Sequence, residues 1–293
     1  MANLARKAPP TPSESDPSGK PTLHHFGTLI QTDAKLNLGT SGGPLLNLKG
    51  QMVGLTVAWA ALAGYETSAG YAIPVDATFR RVVDTLRDGR EVQYGLLGIQ
   101  PTNLRPQEIL AGMDGIRVDR VVPGTPAEKY GLRPDDIVTA VGDTPIHEAD
   151  SLVLEVGKLP VEAVARLTVV RDGRPRTLNV TLAKYPVRGK KIVTNRPEPW
   201  RGLQVDYPTA MLESGTPAAA NGASFDEGVI VTEVAEGSPG WQSGLRAGMR
   251  ITHVGRTAVH NPDEFREIAG AHAGPVELRM ANNPQNPMVT LAP

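Results

Sequence analysis

The chain has 293 residues, with 30 Lys and Arg against 31 Asp and Glu and a formal net charge of -1. That balance offers no basic footprint for nucleic acid or an anionic membrane surface. Zero cysteines exclude disulfides, cysteine-based zinc sites and a thiol nucleophile, while 31 glycines and 26 prolines mark a turn-rich β protein long enough for two or three domains.

Residues 1–25 hold no apolar run of signal-peptide length, and nowhere do enough apolar residues follow one another to span a membrane. Lys7 to Pro21, with Pro9, Pro10, Pro12, Pro17 and Pro21 among Ser, Asp and Gly, reads as an irregular loop or tail. Leu29-Ile30-Gln31-Thr32 and Met52 to Val57 read as strands, and between them lies Leu38-Gly39-Thr40-Ser41-Gly42-Gly43-Pro44-Leu45-Leu46. A serine flanked by glycines in a tight turn can present its hydroxyl, and the freed N–H groups beside it can face a developing oxyanion. The pentapeptide alone marks an ordinary turn just as well.

Taken with Leu29 to Ala34 before it and Gly70-Tyr71-Ala72-Ile73-Pro74 after it, the segment resembles the second half of the catalytic domain of HtrA/DegP-type serine proteases. In that family a trypsin-like double β-barrel precedes one or two PDZ domains, and the nucleophile lies in Gly-Asn-Ser-Gly-Gly. Ser41 matches it, with Thr40 in place of the asparagine. The resemblance implies an oxyanion hole from the backbone N–H groups of Gly39 and Ser41. It also implies a pocket for the residue before the scissile bond bordered by Leu36 and Trp59, although Trp59 reads equally well as a half-buried strand aromatic. Asn3 to Arg6 resembles a strand preceding a variable loop of the second barrel, which would make Met1 an internal start. The triad runs His, Asp, Ser along such chains. Only His24 and His25 precede Ser41, at positions where the family has no catalytic histidine, and neither Asp16 nor Asp33 matches the orienting aspartate. The expectation is a chain inactive by itself, with residues 1–90 its least stable part.

Further along, Asp76 is placed to cap a packing helix with Phe79, Val82, Val83 and Leu86 at helical spacing up to Gly89. Beyond it the sequence repeats itself. Gly115 to Val118, Gly124-Thr125-Pro126, Gly131-Leu132-Arg133 and Val141-Gly142 recur as Gly228 to Val231, Gly237-Ser238-Pro239, Gly244-Leu245-Arg246 and Val254-Gly255, at a constant offset (228 - 115 = 113 and 255 - 142 = 113). A period that long means two whole domains, and the pattern resembles PDZ domains. These bind an extended peptide at a sheet edge and its terminal carboxylate in a nest of N–H groups. Leu96-Leu97-Gly98-Ile99 matches the family's carboxylate loop, with Leu97 and Ile99 framing the terminal side chain and a facing helix starting near Asp150 with Leu152, Val153 and Val156. In the second copy the loop reads Trp200-Arg201-Gly202-Leu203 and Met249 replaces Asp136, so a weaker or altered groove, or one used for domain packing, is expected there. Its helix is specified by Asn261 as cap, Pro262, Phe265 and Ile268. His147, His253, His260 and His272 have no neighbour at metal-ligand spacing and read as structural or solvent-facing.

The fold class expected is mainly β: the C-terminal half of a trypsin-like double β-barrel followed by two PDZ (α+β) domains. The divisions are 1–25 Pro-rich tail, 26–90 partial protease domain with linker helix, 94–184 first PDZ domain, 185–198 basic linker and 199–293 second PDZ domain, the two PDZ domains folding independently. The function implied is an HtrA/DegP-like endopeptidase acting on unfolded or misfolded proteins, with PDZ domains binding peptide C-termini and no cofactor or metal. The alternative is a non-catalytic PDZ adaptor carrying a relic of the protease. By family, a complete version is a trimer through its protease domains and lies in the periplasm or another extracytoplasmic space.

Overall fold

The computed structural model describes residues 3–6, 29–34, 36, 39–57, 70–186, 193–211, 228–281 and 287–293. Two compact units are present, residues 1–92 with 153–159 and residues 93–152 with 160–293.

In the first unit β1 (Asn3–Arg6), β2 (Leu29–Thr32), β3 (Pro44–Leu46), β4 (Met52–Val57) and β5 (Gly70–Pro74) form one antiparallel sheet in the order β1-β2-β5-β4-β3. Ile30 and Thr56 both pair with Ala72, and Leu29, Ile30, Tyr71 and Ala72 are buried. β3 is an edge of this sheet, and Leu46 and Met52 on its hairpin are exposed, an apolar edge of the kind that pairs readily with another strand. Asn47 closes that hairpin: its Oδ1 accepts from the N–H groups of Lys49 (2.9 Å) and Gln51 (3.0 Å).

Helix α1 spans Ala77–Arg87, and Asp76 caps it as read from the sequence, its Oδ1 accepting from Phe79 N at 2.8 Å. The apolar face is narrower than the spacing predicts. Val82 is buried, whereas Val83 and Leu86 are exposed.

The internal repeat is visible as repeated structure. The first copy contains β6 (Gly95–Leu96), β7 (Ile99–Asn103), α2 (Pro106–Leu110), β8 (Ile116–Val121), α3 (Pro126–Lys129), β9 (Ile137–Val141), β10 (Thr144–Pro145), α4 (Ala149–Lys158), β11 (Val164–Arg171), β12 (Arg174–Thr181) and β13 (Ala183–Lys184). The second contains β14 (Leu203–Asp206), a short 3-10 helix (Pro208–Met211), β15 (Val229–Val234), α5 (Pro239–Gln242), β16 (Arg250–Val254), β17 (Thr257–Ala258), α6 (Pro262–Gly270), β18 (Val276–Met280) and β19 (Met288–Leu291). From β8 to β15, α3 to α5, β9 to β16, β10 to β17 and α4 to α6 each element starts 113 residues later (229 - 116 = 113, 262 - 149 = 113). The step fails at the edge strands, where β7 and β14 start 104 residues apart (203 - 99 = 104). The later strands keep the step to within one residue (276 - 164 = 112, 288 - 174 = 114), and the edge strands do not.

Both sheets are antiparallel, ordered β12-β11-β9-β8-β7 and β14-β15-β16-β18-β19, so β7 and β14 each lie at an edge. The first core holds Ile116, Val118, Val138, Ile146, Leu152, Val156, Leu167 and Val169, all buried. The second is built around Phe265, Leu203, Val231, Leu245 and Leu278. Asn261 caps α6, accepting from Glu264 N at 2.8 Å.

Past β7, helix α2 and the loop to β8 are held by two carboxylates, the part-buried Glu108 and the exposed Asp114. Arg105 N donates to Glu108 Oε2 at 2.8 Å, which, with Arg117 beside it, holds the Glu108 carboxyl below its ordinary value. Asp114 is likewise held low, chiefly by its 2.7 Å hydrogen bond with His147 Nδ1. A carboxylate with a depressed folded pKa contributes stability above its unfolded pKa and loses it as pH falls through the folded one. Acidification into the range below about 4 is therefore expected to loosen this segment before the sheet. The check is amide exchange by NMR: Ile109 N, bonded to Arg105 O, and Met113 N, bonded to Glu108 O, should lose protection while β8 and β9 keep theirs. Equal loss in both would refute it.

Candidate functional site

Ser41 sits at the second position of the tight turn Thr40 to Gly43, closed by Gly43 N donating to Thr40 O at 3.0 Å. Gly42, the third residue, has φ +86, the left-handed value a type II turn requires there and the reason for glycine. The turn is tied to β4: Gly42 N donates to Thr56 O and Thr56 N to Gly43 O, both at 2.8 Å. The buried Thr56 hydroxyl lies against the carbonyls of Thr40 and Gly43. Three residues thus anchor the loop by its backbone, and the side of the turn bearing Ser41 and Gly42 is exposed. Gly39, also at positive φ (+93), opens toward space where an added Cβ would meet nothing within 4 Å.

Of the pocket residues expected from sequence, Leu36 packs on β5: a Cβ on Gly70 would stand 2.8 Å from Leu36 Cδ1 and 3.0 Å from Thr32 Cγ2. Gly70 and Thr56 are therefore part of this neighbourhood although the sequence reading passed over both. Their signal was the glycine opening the Gly70-Tyr71-Ala72 strand and a threonine at an inward β4 position. Trp59, His24 and His25 lie outside the described residues.

The second candidate site is the loop Leu96-Leu97-Gly98-Ile99, where β6 passes into the edge strand β7. Leu97 O accepts from Ala127 N and Gly98 O from Val122 N, each at 2.9 Å. With both carbonyls turned into the domain, the N–H groups of Leu97 and Gly98 donate to no described residue. Unengaged adjacent amides at the head of an edge strand are what a peptide carboxylate needs. Gly98 holds φ +90, and a Cβ there would lie 2.1 Å from Thr125 Oγ1. Thr125 is buried, its hydroxyl bonded to Val122 O at 2.6 Å and reaching Gly98 O at 3.2 Å. Leu97 is buried, and Leu96 and Ile99 are partly exposed. At the other end of β7, Asn103 Oδ1 accepts from Ala149 N at 2.7 Å, fixing the start of α4 beside the strand's end. Leu152 and Val156 of that helix are core residues, and Val153 is partly exposed.

The second loop keeps this anchoring and differs in its turn and its charged side chain. Leu203 N donates to Trp200 O at 2.9 Å and Trp200 N to Leu203 O at 3.1 Å, with φ positive at both Arg201 (+49) and Gly202 (+83). This is a closed two-residue hairpin turn of the primed kind, while Gly240 N donates to Arg201 O at 3.1 Å and Ala235 N to Gly202 O at 2.8 Å, so the carbonyls matching those of Leu97 and Gly98 are turned inward here too and the N–H groups of Arg201 and Gly202 donate to no described residue. Arg201 does not present its charge at the groove, as its place in the loop suggests. Its guanidinium donates to four carbonyls, those of Leu291 (3.1 Å), Ala292 (2.8 Å), His272 (2.8 Å) and Gly274 (2.6 Å). It also lies 4.6 Å from the Trp200 ring centroid, while that ring meets Phe265 edge-on at 5.7 Å.

The four later histidines have separate surroundings. His147 pairs with Asp114, His253 Nδ1 is 3.1 Å from Thr252 Oγ1, His272 Nδ1 donates to Ile268 O at 2.9 Å, and His260 N donates to Glu264. Among the described residues no three His, Asp or Glu side chains are grouped to hold a metal, and no helix is long and apolar enough to cross a membrane.

Family models described as PDZ domain match residues 95–182 and 230–281. The periplasmic serine endoprotease DegP of Escherichia coli K12 is 29% identical over 83% of this chain and 49% of its own length. The periplasmic pH-dependent serine endoprotease DegQ of the same organism is 29% identical over 88% of this chain and 54% of its own. A solved structure of the HtrA-type protease AlgW with tripeptide is 26% identical, covering 56% of this chain and 55% of that one with a TM-score of 0.45. The chain spans about half the length of the curated relatives it matches. It is a mainly β protein that carries two PDZ domains and is homologous to the HtrA/DegP serine proteases.

Proposed function

We propose that these residues are the serine-bearing and peptide-binding part of an HtrA-type endopeptidase that cleaves unfolded or misfolded protein in the periplasm or another extracytoplasmic space. The observation that carries the reading is the loop at Ser41: an exposed serine on a turn pinned by Gly42, Gly43 and Thr56, with Gly39 at positive φ before it. In this reading the Ser41 hydroxyl attacks the scissile carbonyl and the N–H groups of Gly39 and Ser41 receive the oxyanion. Leu36 and Trp59 border the pocket for a small apolar side chain. The first PDZ domain holds a peptide C-terminus through Leu96, Leu97, Gly98 and Ile99. The active assembly is a trimer without cofactor.

A serine hydroxyl without a base is a weak nucleophile at neutral pH. The resemblance gives the histidine and aspartate no position in this sequence, so the reading assigns them to polypeptide other than these 293 residues and leaves the chain inactive by itself.

The test is casein hydrolysis together with labelling by a fluorophosphonate probe, on the 293-residue chain and on a version extended by its upstream reading frame. The extended form should cleave and be labelled, and Ser41→Ala in it should abolish labelling and lower kcat by roughly 10^4-fold or more. Peptide binding without cleavage or labelling in the extended form would sink the protease reading in favour of an adaptor. Ser41-dependent cleavage by the 293-residue chain would return His24 or His25 as the base.

A further inference from the structure

The end of the first PDZ domain and the edge strand of the second share a buried ion pair. Lys184, in β13 at the end of the first domain, is 1% exposed, and its ammonium donates to both carboxylate oxygens of Asp206, at 2.9 and 2.8 Å. Asp206 is the last residue of β14, the edge strand of the second domain, and its Oδ1 also accepts from Tyr207 N at 2.8 Å. Taking the partner away from a buried ammonium is costly, so this pair resists opening. Next to it Tyr207 is buried, with the charge of Glu162 of the first domain acting on its hydroxyl. Burial first, then the charges of Glu162, Asp263 and Asp206, push that hydroxyl well above its ordinary pKa and keep it neutral. Asp263 belongs to the first turn of α6. The contact therefore sits where the second domain's edge strand ends and its facing helix begins.

We propose that Asp206 forms a latch, filled by Lys184 of the same chain with Tyr207 buried beside it, that holds the two PDZ domains as one body and occupies the far end of the second domain's binding edge. A peptide adding antiparallel to β14 with its carboxylate at Trp200 to Leu203 would send its upstream residues past Asp206, into the place the first domain fills. The tandem then offers one site for a peptide C-terminus, in the first domain, and uses the second domain to set that site's position.

Because the chain has no cysteine, spin labels can be confined to Thr177→Cys on β12 and Arg256→Cys beside β17, both exposed. Pulsed electron resonance on the full chain should give one narrow distance, broadened by Asp206→Ala and equally by Lys184→Met, with circular dichroism confirming that both variants remain folded. A broad distribution in the parent chain overturns the latch whether or not the variants fold, and so does an unchanged narrow one in both. A second arm rests on reading the first domain as the peptide receptor. A fluorescein-labelled decapeptide ending in Leu-Val with a free carboxylate should bind the full chain once, and Leu97→Glu should remove that binding. Carboxylate-dependent binding that survives Leu97→Glu would place a working groove in the second domain and overturn the single-site inference. No binding in any form would instead count against the receptor reading, while the distance measurement still decides the latch.

Discussion

Gly98→Ala is expected to abolish binding of C-terminal peptides and to destabilise the first PDZ domain well beyond an ordinary glycine substitution. Two costs combine. The backbone at φ +90 is one an L residue adopts at roughly 1–3 kcal/mol. The new methyl would also stand 2.1 Å from Thr125 Oγ1 and 2.2 Å from its Cβ, and overpacking of that kind costs about 1–3 kcal/mol more. Thr125 cannot swing aside cheaply, since it is buried and its hydroxyl is bonded to Val122 O. Relief must come from moving Leu97 and Gly98, which misaims the two amides on which carboxylate capture depends. Gly112→Ala is the matched control: φ there is +85, but an added Cβ meets nothing within 4 Å. It should show only the backbone cost and leave peptide affinity unchanged. Urea denaturation and fluorescence anisotropy on both variants check this, and equal effects at the two positions would refute the steric part.

Asp136→Ala should cost about 3–5 kcal/mol, the penalty for leaving a largely buried charge without its partner. The Asp136 side chain is 1% exposed and Arg171 13% exposed. Arg171 Nε and Nη2 donate to the two carboxylate oxygens at 2.6 and 2.7 Å, and Arg133 N adds a third bond at 2.9 Å. The hydrogen bonds to Asp136 raise the Arg171 pKa, so that charge will not be given up when the carboxylate is removed. Asp136→Met combined with Arg171→Met should recover most of the loss, because a buried ion pair is often replaceable by apolar side chains of similar size. The second domain already has Met249 at the corresponding position. A shift in the urea midpoint at constant slope measures both effects. A single variant as stable as the parent would mean that water reaches the Arg171 guanidinium after all.

What was legible in the sequence was legible for local reasons. Gly124 and Gly237 both hold φ +75, and Gly142 and Gly255 both hold +59, so the period of 113 reports turns that only glycine makes readily. Asp76 and Asn261 announce their helices because a cap is satisfied within three residues. Ser41 stood out for the glycines around it, but the threonine that fastens its turn did not, being 16 residues from the carbonyl it touches. Arg201 stands where the resembled loop carries an apolar residue, and nothing beside it in sequence says where its charge goes. Its partners lie 71 to 91 residues downstream, and no pattern around position 201 points to them. The Lys184–Asp206 pair was hidden for a similar reason: a lysine alternating with apolar residues at a strand end looks like solvated surface until another domain covers it. Val83 and Leu86 show the opposite error, apolar residues at helical spacing whose face the first unit leaves in water.

The four carbonyls gathered by Arg201 also bear on how the second domain responds to load. β19 is a terminal strand paired on one side to β18, and tension applied at Pro293 would ordinarily unzip such a strand one ladder bond at a time. Here Leu291 and Ala292 are fastened through one guanidinium to the turn that opens the domain and to the segment after α6. Tension arriving at the last residues is thereby shared with Trp200, Phe265 and the core beneath them before the first rung of the ladder gives way.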